Sequence, residues 1–176
     1  MGKNYKMVIL VDIDDNQIGK MEKMKAHEKA LLHRAFSVFI FNSKKEILMQ
    51  QRALSKYHSA GLWTNTCCSH PAPNENTLHA ANRRLMEEMG MKADLEYLFK
   101  FKCKAPFDNN LTEHEIDHVF IGYSDELPKI NTEEVNEYKY MTTKQIKNDL
   151  KSNPNNYTEW FKIIFDRFCK EYDFCE

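Results

Sequence analysis

The sequence is short of glycine and proline and contains no long apolar run. It has 5 glycines and 5 prolines in 176 residues, which excludes a collagen-like or a Pro/Gly-rich disordered chain. No apolar segment approaches the roughly 20 residues that a membrane-spanning helix needs. The first residues also lack the basic start and apolar stretch of a secretory signal.

An excess of charge of one sign is also missing. Lys and Arg number 25 against 26 Asp and Glu, so composition gives no electrostatic footprint for nucleic acid or an anionic membrane. The 5 cysteines, an odd number with one adjacent pair, do not form the framework of a secreted disulfide scaffold. Cys175 stands too close to the end of the sequence for a prenylation signal. We therefore expect a cytoplasmic protein that binds neither nucleic acid nor membranes, and any bound anion must meet a local cluster of cations.

Hydrophobic residues make up 42% of the chain and aromatic residues 12%, which predicts one globular domain with a sizeable core. Alternation and apolar runs predict strands at 5–11, 36–41, 47–51, 95–103, 113–121 and 134–141, the second and third forming a hairpin. The strand at 36–41 is apolar enough to be buried on both faces. Asp12, Asp14 and Asp15 predict a solvated turn, and residues 106–110 a loop.

Three helices are predicted from apolar residues at helical spacing, at 77–89, from Thr142 or Thr143 to 151, and at 158–172. Asn76 or Thr77 caps the first of them and Gly90 ends it. Strands with interspersed helices predict a mixed α/β (α+β) fold in which helices cover a mixed sheet. Arg84 and Glu88 lie four residues apart on the first helix, and taken alone they indicate a surface ion pair.

The segment 65–71 places the thiol of Cys68 two residues before the imidazole of His70. Pro71 and Pro73 prevent a helix from starting before Asn76, so we predict that both residues lie on an irregular connector. Two interpretations are open from these residues. Cys67 and Cys68 are buried thiols with His70 hydrogen-bonded nearby, or the segment is a turn that carries chemistry.

The strand at 113–121 has acidic side chains at a period of two. Glu113, Glu115 and Asp117 therefore share one face, where their charges repel unless a metal ion, an arginine or solvent relieves them. His33 lies at the mouth of the buried strand, where a ligand side chain would be held firmly.

These segments together resemble a known family. In content and order, residues 65–71, Arg83-Arg84-Leu85 with Glu87-Glu88-Met89-Gly90, residues 113–117 and residues 160–164 are similar to the type I isopentenyl-diphosphate isomerases of the Nudix superfold. The resemblance covers about residues 22–168. It implies a single Nudix domain over 1–176, with an N-terminal strand and loop extension at 1–32 and a core at 33–176 that ends in a helix. The Nudix fold has a mixed sheet between helices.

The Nudix box, G-x5-E-x7-R-E-U-x-E-E-x-G-U with U apolar, falls on nine residues of this sequence, of which seven agree with it and two depart. Ser69 replaces the glycine and Arg84 the first helix glutamate, which helps Nudix hydrolases bind catalytic metals. A guanidinium there binds a diphosphate instead. The remaining positions are Glu75, Arg83, Leu85, Glu87, Glu88, Gly90 and Met91.

The resemblance implies an enzyme that converts isopentenyl diphosphate to dimethylallyl diphosphate in isoprenoid biosynthesis. Protonation of the alkene gives a carbocation-like state, and an allylic proton is then removed. By resemblance, Cys68 and Glu115 are the proton-transfer pair, with direction-dependent roles. The ring of Trp160 stabilises the cation.

The resemblance also implies two metal sites and a set of cations for the diphosphate. A divalent ion is expected at the first site, and the resemblance does not decide between Zn²⁺, Mn²⁺ and Mg²⁺. A second ion, Mg²⁺, is expected on Glu88 and the backbone carbonyl of Cys68. The implied ligands of the first site are His27, His33, His70, Glu113 and Glu115. The implied phosphate ligands are Lys23, Arg52, Lys56 and Arg84.

The sequence departs from the family at Cys103, where a tyrosine usually bonds the catalytic glutamate. Tyr97, Tyr123 or Tyr140 reaches in instead, or water moves the proton, or activity is reduced. Cys67 is expected to be structural. The remaining imidazoles are assigned to surface or core hydrogen bonds, the last two facing away from Glu115: His58, His79, His114 and His118.

Two other functions stay open. A Nudix hydrolase of a nucleoside diphosphate derivative is the alternative, against which Arg84 argues. A degenerate Nudix domain that only binds a ligand or a partner protein is the third, against which the joint presence of Cys68, Glu115 and Trp160 argues. We expect a monomer or weak dimer with a small-molecule prenyl diphosphate substrate.

Overall fold

The computed structural model describes residues 7–106 and 110–172. The prediction for residues 107–109 and the positions before Met7 and after Tyr172 lie outside this range. Within it, no helix has the length and apolar character needed to cross a bilayer. The strands are β1 Met7–Val11, β2 Gln17–Glu22, β3 His33–Phe41, β4 Ile47–Arg52, β5 Trp63–Thr64, β6 Cys67–Ser69, β7 Glu96–Pro106, β8 Thr112–Tyr123 and β9 Val135–Met141, and the helices are α1 Lys23–Glu28, α2 Thr77–Met89, α3 Thr143–Ser152 and α4 Glu159–Glu171.

The strands join in one mixed sheet around β3. This strand runs antiparallel to β6 and parallel to β8, and it meets β4 at the pair Phe41 and Ile47, which confirms the predicted hairpin. Beyond that pair the two strands have different neighbours, because β4 pairs with β5 and β9. The β1–β2 hairpin joins at the start of β3, where Leu10 pairs with His33.

The core lies on both faces of β3, whose residues 35–41 are all buried, as predicted. Phe36, Val38 and Ile40 belong to a cluster with Ala81 and Leu85 of α2. Phe39 and Phe41 belong to a second cluster with the aromatic face of α4. Helices therefore pack on both faces of the sheet, and the predicted mixed α+β fold is confirmed.

Local signals set the helix ends where the sequence predicted them. The Asn76 side chain accepts hydrogen bonds from the backbone N–H groups of Leu78, at 2.9 Å, and His79. Gly90 ends α2 at φ 62°, and a Cβ there would lie 2.5 Å from the carbonyl oxygen of Lys129, so only glycine fits. Thr142 forms a capping box at α3, and Thr158 caps α4.

The turn between β1 and β2 is solvated at Asp14, as predicted, but not at Asp15. Asp15 is packed against the face of the sheet opposite Glu115 and contacts three cationic or titratable side chains of β3, β7 and β8. Its carboxylate lies 2.7 Å from Arg34 Nε, 3.0 Å from Lys100 Nζ and 2.8 Å from His118 Nε2. We call these four residues the Asp15 latch. It ties the hairpin that precedes α1 to the sheet.

Candidate active site

Three strands bring the predicted chemical groups together. In the parallel pair β3–β8, His33 stands opposite Glu115, and in the antiparallel pair β3–β6, Ser37 stands opposite Cys68. The prediction that Cys68 lies on an irregular connector is therefore wrong, because residues 67–69 form β6. Strand alternation turns Cys67 into the α2 core and Cys68 towards the α4 cluster.

Four of the predicted metal ligands form one cluster. One ligand atom each from His27, His33, His70 and Glu115 lies within 4.8 Å of the others. Glu115 Oε1 is 2.8 Å from His70 Nε2 and 3.3 Å from His33 Nε2. Glu113 is the fifth predicted ligand; it is buried on the same strand face but lies outside this cluster. Three imidazoles and a carboxylate are a donor set that suits a divalent metal.

The hydrogen-bonding geometry of His33 suits a metal ligand. Its Nδ1 lies 2.8 Å from the carbonyl oxygen of Leu31, so Nδ1 donates a hydrogen and Nε2 presents a lone pair to the cluster. The Nε2 atoms of His27 and His33 are both buried without a hydrogen-bond partner. Burial lowers the pKa of His27 to about 2 and that of His70 to about 4, which keeps both rings neutral. Neutral, unsatisfied imidazole nitrogens are the form in which histidine binds metals.

The three carboxylates on β8 have different proton affinities. Burial and the nearby Glu115 charge raise the pKa of Glu113 and of Asp117 well above the usual range. Burial acts in the same direction on Glu115, but its contacts with the imidazoles of His33 and His70 outweigh it and hold its pKa well below the usual range. Asp117 accepts a 2.8 Å hydrogen bond from Ser37 Oγ, while its Oδ1 has no partner. On this face, Glu115 therefore gives up its proton more readily than a free carboxyl group, whereas Glu113 and Asp117 hold theirs more tightly.

Cys68 and Trp160 are in direct contact. The indole N–H of Trp160 points to Cys68 Sγ at 3.2 Å and to Thr64 Oγ1 at 3.1 Å. Burial raises the pKa of Cys68 to about 12, against the opposite influence of Arg52, so the thiol carries its proton at neutral pH. The guanidinium of Arg52 lies over the Trp160 ring, 5.1 Å from its centroid.

Two adjoining cavities open onto these groups. The smaller, about 40 Å³, is lined by Cys68, Glu115 and Trp160, and also by Asp117 and His58. The larger, about 860 Å³, shares Cys68 and His70 with it and is lined by all four predicted phosphate ligands, Lys23, Arg52, Lys56 and Arg84. Lys23 and Arg52 line both cavities, whereas Lys56 and Arg84 line only the larger one.

Arg84 and Glu88 form an ion pair, but it is buried and lines the larger cavity, so the prediction of a surface pair is wrong. Arg84 Nη2 is 2.5 Å from Glu88 Oε1, and both residues are less than a tenth exposed. The apolar stripe of α2 packs on the sheet, and Arg84 and Glu88 lie next to this stripe, so they are buried in the wall of the larger cavity.

Four residues near the cavities were missed from the sequence as site residues. Gln50 donates a 2.9 Å hydrogen bond to Glu88 Oε2, and Glu134 contacts both Lys56 and Arg84. His58, predicted to be a surface or core residue, lines the smaller cavity, with its ring edge towards Trp160 at 5.8 Å. Tyr57 lines the larger one. A glutamine after the apolar residues 47–49 was the one signal available; nothing in the local sequence singles out the others.

Tyr97, Tyr123 and Tyr140 do not take the place of the tyrosine absent at Cys103. Tyr97 packs against Phe120 and His118, Tyr123 bonds Tyr172, and Tyr140 packs against Tyr138. Cys103 itself pairs with Glu115 across β7 and β8.

His114 and His118 face away from Glu115, as predicted. His114 Nδ1 lies 2.9 Å from the carbonyl oxygen of Ala30, and His118 belongs to the Asp15 latch. His79 is exposed on α2.

Comparison with protein families gives one match that covers most of the chain. The model of the NUDIX domain matches residues 31–161. Among curated proteins, the chain is 50% identical over 160 residues to an isopentenyl-diphosphate Delta-isomerase of Pectobacterium atrosepticum, covering 91% of this chain and 89% of that protein. It is 48% identical over 168 residues to isopentenyl-diphosphate Delta-isomerase 1 of Aromatoleum aromaticum, covering 94% and 95% of the two chains.

Solved structures agree on the fold. A protein of Deinococcus radiodurans superposes with a TM-score of 0.70 at 17% identity, covering 84% of this chain and 90% of that one. A MutT protein of Methanosarcina mazei superposes with a TM-score of 0.65 at 22% identity, covering 80% and 94%. The predicted Nudix fold is confirmed.

Proposed function

The chain belongs to the isopentenyl-diphosphate Delta-isomerases of the Nudix family, and on this basis we propose that it converts isopentenyl diphosphate to dimethylallyl diphosphate in isoprenoid biosynthesis. The observation that carries the proposal is the meeting of a protonated thiol, an ionised carboxylate and an indole ring at one small cavity, beside a second cavity lined by four cations. In this proposal, the hydrocarbon part of the substrate lies at the first cavity and the diphosphate lies in the second.

In this proposal, Cys68 and Glu115 form the proton-transfer pair. The reaction adds a proton to the terminal alkene carbon and removes one from the allylic carbon, so it needs one group that holds a proton and one that lacks it. The raised pKa of Cys68 and the lowered pKa of Glu115 supply such a pair. Which of the two gives the proton depends on the direction of the reaction.

Trp160 is proposed to stabilise the cationic state. Its ring offers an electron-rich face, and a cation–π contact in a site without water is worth about 2 kcal/mol. Glu115 is buried, and a site closed to water matters because water would trap a carbocation as an alcohol.

The cluster of His27, His33, His70 and Glu115 could hold a metal, and we propose that Zn²⁺, Mn²⁺ or Mg²⁺ binds there with Glu113 nearby. When bound, such an ion would draw charge from Glu115 and so change its proton affinity. A second ion, Mg²⁺, is proposed for Glu88 and the carbonyl of Cys68, where it would neutralise part of the diphosphate charge. Lys23, Arg52, Lys56 and Arg84 are proposed to bind the phosphate oxygens.

The hydrolase alternative has less support. Arg84 occupies the position of the first helix glutamate in the Nudix box, so the metal-binding carboxylate of that position is missing. Its guanidinium contacts Glu87 and Glu88. The similar curated proteins are also named isomerases. A cytoplasmic, monomeric or weakly dimeric enzyme remains our expectation.

The test of the function is to incubate the protein with isopentenyl diphosphate and Mg²⁺ in deuterated water and to follow the alkene signals by NMR together with phosphate release. We expect dimethylallyl signals with deuterium incorporation and no phosphate. Cys68→Ala should abolish the reaction, while Cys169→Ala, a cysteine that lines neither cavity, should leave it unchanged. Phosphate release without a change in the alkene signals would contradict the isomerase function and support a hydrolase.

A further inference from the structure

We propose that Glu134 is the internal counter-ion of the diphosphate site: its carboxylate stands between Lys56 and Arg84 where a phosphate group has to bind, and it thereby weakens the binding of a diphosphate that carries no metal ion. This inference rests on the proposed function, because it takes Lys56 and Arg84 as phosphate ligands.

One oxygen of Glu134 serves both cations. Oε2 accepts a hydrogen bond from Lys56 Nζ and lies 3.3 Å from Arg84 Nη2. The backbone holds Glu134 in this place, because its N–H bonds the carbonyl oxygen of Asn131 at 2.9 Å and its own carbonyl accepts the N–H of Ala53 at 3.0 Å. The side chain is one-fifth exposed and lines the larger cavity. A carboxylate oxygen between a lysine and an arginine has the same contacts that a phosphate oxygen would have there.

Arg84 cannot take up a diphosphate without giving up one of these contacts. Its Nη1 donates to Glu87 at 2.8 Å, its Nε donates to Glu88 at 3.1 Å, and its Nη2 lies between Glu88 and Glu134. Glu88 is further held by Gln50, and the contact to Glu87 does not involve Lys56. Of the three carboxylates around Arg84, only Glu134 also contacts Lys56, so it is the one that a ligand bridging the two cations displaces.

The displacement has an energetic consequence that depends on the charge of the ligand. A bare diphosphate must separate Glu134 from its cations and then lie close to that carboxylate and to Glu88, which repel it. A divalent ion on the diphosphate cancels two of its charges and reduces the repulsion. Glu134 therefore couples diphosphate binding to metal binding.

The experiment is titration calorimetry of inorganic pyrophosphate into wild type, Glu134→Gln and Glu133→Gln, each in EDTA and in excess Mg²⁺. Glu133 is the exposed neighbour and serves as the matched control. In EDTA we expect Glu134→Gln to bind pyrophosphate about tenfold more tightly than wild type, and Glu133→Gln to match wild type. In Mg²⁺ the gain should shrink to about threefold or less. Adding Lys56→Met to Glu134→Gln should remove the gain.

Equal or weaker pyrophosphate binding by Glu134→Gln in EDTA would overturn the proposal, as would an equal gain with and without Mg²⁺. If Glu134→Gln does not fold, judged by circular dichroism, Glu134→Ala removes the same charge and is tested in its place. The NMR assay with isopentenyl diphosphate on wild type separates the two proposals. A wild type that isomerises but fails the calorimetric test refutes the role of Glu134 alone, whereas a wild type that does not isomerise refutes the function.

Discussion

At the scale of single residues, Trp160 contributes a ring and an N–H group, and these can be separated. Trp160→Phe keeps an aromatic ring beside the small cavity but removes the donor to Cys68 Sγ and Thr64 Oγ1. We expect kcat to fall about tenfold to a hundredfold with little change in KM, because the thiol loses the group that orients it.

The matched control is Trp63→Phe, since Trp63 packs with Lys139, 4.0 Å from its ring centroid, and lines neither cavity. Steady-state kinetics of both variants test the point. Equal activities of the two would show that the N–H group of Trp160 has no part in the reaction.

Gln50 is a second residue whose role can be measured. Its amide fixes Glu88 by a 2.9 Å hydrogen bond, and the same nitrogen donates to the carbonyl oxygen of Thr66 at 2.6 Å. Gln50→Ala should raise the Mg²⁺ concentration for half-maximal activity about tenfold, because residues that orient a metal ligand typically contribute that much to affinity. Gln51→Ala, whose amide bonds Gly61 instead, should not change the Mg²⁺ requirement. A Gln50→Ala enzyme with the wild-type Mg²⁺ curve would contradict this assignment.

The sequence singled out Cys68, His70 and Glu115, which the fold brings to one cavity, but not Gln50 or Glu134. The first three residues stand in short motifs whose order along the chain is specific. Gln50 and Glu134 acquire their roles from contacts between α2 and distant strands. No spacing along the chain reports such contacts.

At the scale of elements, the Asp15 latch attaches the N-terminal hairpin to the sheet in addition to its strand pairing and to the packing of Ile9 and Val11 on Ile116. Asp15 has φ 70°, a backbone conformation that asparagine also tolerates, so Asp15→Asn tests the charge with the turn intact. We expect the free energy of unfolding to fall by about 3 kcal/mol, because Arg34, which is largely buried, loses its charged partner and keeps only the backbone carbonyl of residue 15.

Hydrogen exchange in Asp15→Asn should also accelerate in residues 17–28, a segment that includes Lys23 and His27. Asp14→Asn, an exposed acid in the same turn, is the control. Unchanged exchange in residues 17–28 of Asp15→Asn would show that the latch does not hold α1.

Elements with strong local signals were predicted well, and those that depend on partners were not. The caps of α2, α3 and α4 are set by side chains within a few residues, and these helices occupy the predicted ranges closely. The strand β6 has 3 residues and exists because it pairs with β3, so the sequence indicated only a connector. The sequence predicted that Asp15 is solvated because its partners Arg34, Lys100 and His118 are remote from it in sequence.

At the scale of the whole molecule, buried neutral histidines make the stability dependent on pH. The pKa of His27 is lowered to about 2, mainly by burial, while the unfolded residue titrates near 6.5. Between these values the unfolded chain binds one more proton than the folded one at this site, so His27 costs stability as the pH falls. Glu113 and Asp117, with raised pKa values, act in the opposite sense. The contribution of His27 is therefore obtained by comparing the pH dependence of stability of wild type with that of a His27 variant.

In EDTA, His27→Gln should therefore lose stability less steeply than wild type between pH 6 and 4, by up to about 1.4 kcal/mol per pH unit. Urea unfolding at several pH values measures this slope. His79→Gln, which changes an exposed histidine, should follow wild type. A His27→Gln slope equal to that of wild type would mean that His27 is protonated in the folded protein.

The parallel pairing of β3 with β8 also governs when the site can exist. His33 faces Glu115 only after two segments far apart in the chain have come together, and such long-range closures are slow steps of folding. During synthesis, the first half of the protein leaves the ribosome with its histidines but without the carboxylate that gathers them. The proposed metal site therefore receives its carboxylate only when β8 has been made, late in translation.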